Sequence, residues 1–124
     1  MLRVVDASAL AAILFGEPEG AMMAEQLDGA RLAAPPLLAF ELANVCLVKC
    51  RRYPEKRDAL LEAFRLRDAF AVEVVNVDIA EALTLAMQTG LTVYDAVYLW
   101  LARRLGAELT TLDKALARAA SGGL

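Results

Sequence analysis

Four carboxylates lie beside or inside strongly apolar segments of this 124-residue chain, namely Asp6, Glu41, Asp95 and Asp113. Charged side chains rarely approach a protein core unless another group compensates their charge. Four acids brought together would repel one another, and a shared cation would relieve that repulsion. The chain has no histidine, so the ligands would all be oxygens, which suit Mg²⁺ or Mn²⁺. The sequence therefore indicates a metal site that activates water for attack on a phosphate ester.

Three of these acids have a second explanation as helix caps. Asp6 ends a short apolar run just before a helical pattern, although Ser8 is predicted to cap that helix. Asp95 stands three residues after Thr92, which is the spacing of a capping box. Asp113 heads the last helical segment, where a capping aspartate is common. The cap and the metal ligand therefore remain alternatives for each of the three.

Glu41 has no explanation as a cap, because it lies more than one turn inside a predicted helix that begins at Pro36. Its neighbours are apolar, and Asn44 is the one other polar residue on the same face, three positions later. A solvent-facing stripe is the alternative, but such a stripe would carry unusually little charge. The position favours a functional role for Glu41, with Asn44 in support.

Short apolar segments alternate with helical patterns along the whole chain. Strands are predicted over residues 2–5, 31–34, 71–77 and 108–111. Helices are predicted over residues 8–14, 17–28, 36–52, 54–68, 78–89, 92–105 and 113–120, the last fraying through Ser121, Gly122 and Gly123. This order predicts an α/β domain with a buried parallel sheet. The acids that follow the first and last strands would meet at the carboxyl edge of that sheet.

Composition limits the class of protein. The length fits one domain over residues 1–124, and 59% of the residues are hydrophobic, with a mean hydropathy of +0.46. No apolar stretch approaches the roughly 18 to 20 residues of a membrane span, and no secretory signal is evident, so we expect a cytoplasmic protein. The surplus apolar surface indicates a partner subunit. Cys46 and Cys50, four residues apart, are expected to be reduced thiols.

The net charge of −3 and the pI near 4.9 argue against binding nucleic acid by overall charge. The segment from Lys49 to Arg67, however, carries seven basic and three acidic residues. Beside an acidic pocket, this basic segment could hold a phosphate backbone. Its candidate RNA contacts are Lys49, Arg51, Arg52, Lys56 and Arg57.

Four segments together resemble the PIN domain, and more narrowly the VapC-type ribonuclease toxins of prokaryotic toxin–antitoxin pairs: VVDASAL, FELANV, TVYDAVYLWLA and TTLDKAL. The resemblance implies a three-layer α/β/α fold around a four- to five-stranded parallel sheet. It also implies that Asp6, Glu41, Asp95 and Asp113 bind the metal and perform catalysis, with hydroxyl support from Ser8 and Thr111. Mg²⁺-dependent cleavage of structured RNA, a homodimer and a small antitoxin that blocks the site are implied as well.

A receiver-type phospho-acceptor domain, which is not an enzyme, is the alternative. It shares the chain length, the α/β order and an aspartate after the first strand. Receivers need a pair of acids near the start, whereas Asp6 has no acidic neighbour, and a lysine late in the chain after a strand, whereas Lys114 starts a helix. Dinucleotide binding lacks a glycine-rich loop, and the missing histidine excludes Ser-His or Cys-His nucleophiles.

Overall fold

The strands form in short, mainly apolar runs, and a helix begins after one to four intervening residues. A computed structural model describes residues 1–122. Gly123, the last residue over which the final helix was predicted to fray, lies outside the described residues. The elements in chain order are β1 (Leu2–Val5), α1 (Ala7–Leu14), α2 (Gly20–Leu27), β2 (Arg31–Ala34), α3 (Leu37–Arg52), α4 (Arg57–Arg65), β3 (Glu73–Val74), α5 (Ile79–Thr89), α6 (Val93–Leu105), β4 (Glu108–Thr110) and α7 (Lys114–Gly122).

The four strands form one parallel sheet in the order β3-β2-β1-β4. Consecutive residues of β1 point to opposite faces, and both Val4 and Val5 are fully buried. Val5 packs into a core formed with α1, α2 and α3, whereas Val4 packs with α5, α6 and α7. The sheet is therefore the middle of three layers, which confirms the predicted α/β/α class, with four strands.

The strand order creates a crevice between β1 and β4. The chain steps from β1 to β2 to β3 in one direction and then returns to place β4 on the other side of β1. Ligands of open α/β sheets bind outside the carboxyl ends of the strands at such a reversal. The order also differs from the 2-1-3-4-5 order of receiver domains, in which the first and third strands are neighbours. The fold therefore argues against the receiver alternative.

Two elements near the middle of the chain were predicted too long. The valine-rich strand predicted over residues 71–77 covers only Glu73–Val74 in the structure. This strand pairs with β2 at the edge of the sheet, and β2 ends before Pro35. Pro35 has no N–H to extend the ladder. The helix predicted over residues 54–68 is α-helical only in α4, with 3₁₀ turns over Pro54–Lys56 and Leu66–Phe70 at its ends.

The first helix begins differently from the prediction. Asp6, and not Ser8, caps α1, because only one residue separates β1 from the helix and the Asp6 carboxylate accepts the Ala9 N–H at 3.1 Å. The hydroxyl of Ser8 is thereby free to bond elsewhere. Two later helices are capped in the usual way: the side chains of Asp78 at α5 and Thr92 at α6 each accept a backbone N–H.

Within residues 1–122, no helix is both long enough and apolar enough to cross a membrane. The helices reach 16 residues in α3, and that helix carries several charged residues at its end.

Gly20 fixes how closely α2 can approach α1, and α2 begins there rather than at Glu17 as predicted. A Cβ at position 20 would overlap the backbone carbonyl oxygen of Ala12. We expect Gly20→Ala to lower the free energy of unfolding by about 1 to 3 kcal/mol, because backbone must move to admit the methyl group. Chemical denaturation would measure this loss.

The matched control is Gly122→Ala at the end of α7, where a Cβ meets no atom within 4 Å. This variant is expected to change the stability by no more than about 0.5 kcal/mol. Equal effects of the two substitutions would show that the contact at Ala12 does not limit the packing of α2.

Candidate active site

Asp6 lies at the carboxyl end of β1 and is only 6% exposed. The Ser8 hydroxyl donates to its Oδ1 at 2.7 Å, and the Thr111 hydroxyl donates to its Oδ2. The backbone N–H of Asp6 itself donates to the Thr110 carbonyl at 3.3 Å. Burial raises the pKa of Asp6, and the three hydrogen bonds to the carboxylate oppose that shift. The side chain is thus held in place as a buried acid.

The two supporting hydroxyls also join the loops after β1 and β4. The Leu112 N–H donates to Ser8 Oγ at 2.9 Å, and the Asp113 N–H donates to Thr111 Oγ1 at the same distance. Asp113 then caps α7 by accepting the Leu116 N–H at 2.9 Å. One network of hydrogen bonds therefore orients the side chains of both Asp6 and Asp113.

Glu41 is half-buried on α3 and faces α6. The hydroxyl of Tyr98 donates to Glu41 Oε1 at 2.6 Å, and Tyr98 is only 1% exposed. Burial raises the pKa of both groups; for Tyr98 the neighbouring carboxylate of Glu41 adds to the shift. Tyr98 was not among the predicted site residues. Its signal was the spacing of three residues after Asp95, which places both side chains on one side of α6.

Asp95 lies in the first turn of α6 and is half-buried. Its backbone N–H, and not its carboxylate, takes part in the cap, donating to Thr92 Oγ1 at 3.1 Å. Burial raises the pKa of Asp95, and the negative charges of Asp113 and Asp6 raise it further. The carboxylate therefore faces the other acids of the site.

The four predicted acids lie close enough to influence one another. Asp6 experiences the charge of Asp113, and Glu41 experiences those of Asp6 and Asp95. Within residues 1–122, the side chains as they stand form no group of three or more acids or cysteines arranged to hold a metal ion. The donor set is nevertheless of the right type, since all four side chains offer carboxylate oxygens to a hard divalent cation and neutralising them would relieve the repulsion.

The remaining predicted site residues make no hydrogen bond or salt bridge to the four acids among residues 1–122. Asn44 is exposed on α3, and its side chain makes none of the side-chain hydrogen bonds found among residues 1–122. Lys49 forms a salt bridge of 2.8 Å with Glu17, where each side chain is about one quarter exposed. The other four candidate RNA contacts are exposed around the joint between α3 and α4: Arg51, Arg52, Lys56 and Arg57. None of these four takes part in a salt bridge within the described part of the chain.

The fold and the site define a class: a three-layer α/β protein with a carboxylate cluster at the switch point of its sheet. Three similarities specify it further. The PIN domain matches residues 3–122. Ribonuclease VapC3 of Pyrobaculum aerophilum is 35% identical over 122 residues, which cover 94% of this chain and 93% of that protein. The crystal structure of PAE2754 from Pyrobaculum aerophilum superposes with a TM-score of 0.77 at 26% identity, covering 98% of this chain and 87% of that one. The chain belongs to the PIN domain family.

The hydroxyl of Thr111 is expected to stabilise the fold through Asp6. Removing a hydrogen bond to a buried charged group costs about 1.5 to 3 kcal/mol, so Thr111→Val should lower the free energy of unfolding by that amount. In an Asp6→Asn background the same change should cost less, because the charged acceptor is gone. Denaturant titrations of the four proteins of this double-mutant cycle measure the coupling.

Thr84→Val on the exposed side of α5 is the matched control, since the Thr84 hydroxyl bonds only to the carbonyl of Ala80 in its own helix. Its cost should stay within about 0.5 kcal/mol. Additive effects of Thr111→Val and Asp6→Asn would refute the stabilising role of this contact.

The raised pKa values predict how the metal-free protein responds to pH. Because folding raises the pKa of Asp6, Glu41 and Asp95, the folded state binds more protons than the unfolded state above the ordinary carboxyl range. The stabilisation that these three carboxyl groups gain on folding is therefore fully present at low pH. It is lost as the pH rises through their pKa values in the folded protein. In EDTA, Asp95→Asn should melt above the unsubstituted protein at pH 7, and the difference should shrink as pH falls.

Thermal melts monitored by circular dichroism at several pH values measure this difference. Asp28→Asn, at an exposed aspartate that ends α2, is the control and should change the melting temperature little at any of them. A destabilising effect of Asp95→Asn at pH 7 would contradict the repulsion among the acids.

Proposed function

We propose that this protein is a metal-dependent endoribonuclease and the toxin of a type II toxin–antitoxin pair. The observation that supports the proposal is that Asp6, Glu41, Asp95 and Asp113 lie near enough to one another, around the switch point of a PIN domain, for their charges to interact. The similarity to a protein named Ribonuclease VapC3 over nearly the whole chain supports RNA as the substrate. Residues 1–124 would act as one nuclease domain.

The four acids would hold Mg²⁺ or Mn²⁺. When bound, the cation lowers the pKa of water and stabilises charge on a phosphodiester. Asp6 supplies the most firmly positioned oxygens, because three hydrogen bonds fix its carboxylate before any ligand arrives. Such fixed geometry limits the reorganisation needed when substrate binds.

Glu41 is held by a single strong partner and is less buried than Asp6. The Tyr98 hydroxyl occupies Oε1, which leaves Oε2 of Glu41 directed by that bond but available to a ligand. Asp95 and Asp113 complete the cluster from α6 and from the start of α7. The four side chains thus combine one buried acid, Asp6, with three that are more exposed to solvent.

RNA would approach over the basic joint between α3 and α4. Arg51, Arg52, Lys56 and Arg57 are exposed there, and Tyr53 lies between two of them, 5.5 Å from the Arg52 guanidinium and 5.2 Å from Lys56 Nζ, measured to the ring centroid. Phosphate contacts by such side chains provide affinity without sequence preference. Lys49 would contribute only after its salt bridge with Glu17 opened.

The proposed partners are a second copy of the chain and a small antitoxin protein, with both proteins in the cytoplasm. Several large apolar side chains are exposed, including Phe40 at 74% and Met87 at 76%. Surface of this kind in a small protein is typical of interfaces. An antitoxin that covered the acids would inhibit cleavage.

The decisive experiment is cleavage of RNA by the purified protein. With Mg²⁺ or Mn²⁺ we expect cleavage of a structured RNA, which EDTA abolishes and added metal restores. Asp6→Asn should lower the cleavage rate by about 100-fold or more, since the most rigid of the proposed ligands loses its charge. Gel analysis of end-labelled RNA gives both the rate and the positions of the cuts.

Asp28→Asn is again the matched control, because it removes one carboxylate far from the cluster, and it should retain the full rate. Cleavage that persists both in EDTA and with Asp6→Asn would contradict the proposed metal nuclease. Specific labelling of Asp6 by acetyl phosphate would instead support the receiver alternative.

A further inference from the structure

Two cysteines lie together on the side of α3 that packs against α4. Cys46 and Cys50 are four residues apart, so their side chains share one face of the helix. Cys46 is only 4% exposed, and its thiol donates to the backbone carbonyl of Leu60 in α4 at 3.7 Å. Burial raises the pKa of Cys46, and the neighbouring side chain of Cys50 raises it further. The two thiols are therefore close enough to interact.

A cavity of about 280 Å³ between α3 and α4 reaches both thiols. Cys46 and Cys50 line it together with four apolar side chains and one cation, namely Ala43, Leu47, Leu61, Phe64 and Arg57. Cys50 is partly exposed, so a small solute can reach the pair from solvent although Cys46 is buried. No step proposed above uses this cavity or its thiols.

The geometry of the helix opposes a disulfide between the two cysteines. Residues four apart in a helix have Cβ atoms about 5 to 6 Å apart. A disulfide needs that separation to be about 3.5 to 4.5 Å, so forming one would distort α3. A bond from a metal to a thiolate is about 2.3 Å long, and an ion between the sulfurs therefore spans up to about 4.6 Å, compared with about 2 Å for an S–S bond. An ion fits a spacing that is too wide for a disulfide.

The available ligands select a soft ion that two of them can satisfy. Thiolates favour soft metals such as Cu(I), whereas a structural zinc site needs four ligands. Within the described residues no third cysteine or acid joins the pair as a metal ligand, and the chain has no histidine. Two thiolates around a monovalent ion carry one net negative charge. The guanidinium of Arg57, which makes no salt bridge in the described part of the chain, would offset that charge from the cavity wall.

We propose that Cys46 and Cys50 form a two-coordinate binding site for Cu(I) between α3 and α4. As the ion binds, each thiol releases its proton to solvent, so one Cu(I) replaces two protons and no electron is transferred. Cys46 then no longer donates to the carbonyl of Leu60. The site is independent of the proposed nuclease function, because its thiols face α4 whereas Glu41 faces α6.

Competition with bathocuproine disulfonate, a chelator whose Cu(I) complex is coloured, measures this binding in the absence of air. The reduced protein should withdraw one Cu(I) per chain from the chelator, and excess Mg²⁺ should not displace the ion, because Mg²⁺ prefers oxygen ligands. Cys50→Ser should weaken the affinity for Cu(I) by at least about 100-fold, since even the loss of a group that only supports a metal ligand costs about 10- to 100-fold. Circular dichroism checks that this variant is folded.

The matched control keeps two thiols and changes only their spacing. Val48 is exposed on α3, and residues two apart on a helix do not face each other. Cys50→Ser combined with Val48→Cys should therefore bind Cu(I) as weakly as Cys50→Ser alone. Val48→Cys by itself should bind as the unsubstituted protein does, which shows that position 48 tolerates a thiol.

Two results would overturn the proposal. The first is equal Cu(I) affinity of the unsubstituted protein and the double variant, since any pair of thiols would then bind the ion regardless of spacing. The second is failure of the unsubstituted protein to take Cu(I) from the chelator more strongly than Cys50→Ser does. Neither result bears on the nuclease proposal, because the binding measurement contains no RNA.

Discussion

The buried carboxylate of Asp6 is the constraint on which the site depends. An ionised acid at 6% exposure is costly unless donors surround it. Ala9 supplies one donor from its own helix, but Ser8 and Thr111 can supply theirs only if the loops after β1 and β4 come together. The side chain that would bind a metal therefore also joins the loops after β1 and β4. The same hydrogen bonds thus stabilise the fold and position the site.

The acids are held in two different ways, which matters for how the site would respond to a ligand. Asp6 is fixed by three hydrogen bonds, and Asp113 is tied to its helix by a cap. Glu41 has one partner from another helix, Tyr98, and Asp95 leaves its carboxylate free of the cap. Two anchored and two adaptable carboxylates can close around a cation, at the expense of mutual repulsion when it is absent. Such local instability is typical of functional sites.

The sequence predicted what depends on local patterns and failed where distant residues decide. Helix α6 was predicted to within one residue at each end, because Thr92 caps it and Gly106 adopts the left-handed conformation that ends it. The four acids could be singled out as candidates because charges in apolar segments are visible in any sequence. Tyr98 was missed, since its role depends on a glutamate 57 positions away. The short length of β3 likewise depends on where its neighbour β2 ends, which no local propensity reports.

Helix α3 carries an acid near its start and basic residues at its end, and this separation of charge would orient an RNA strand along the helix. Glu41 lies in the second turn of this helix and Arg52 at its end, so about 16 Å of rigid helix divides the acid cluster from the basic joint. In a protein of net charge −3, a polyanion gains attraction at the basic joint and meets repulsion elsewhere. An RNA anchored at the joint would therefore extend along α3 toward the acids, where only bound cations make its phosphates acceptable.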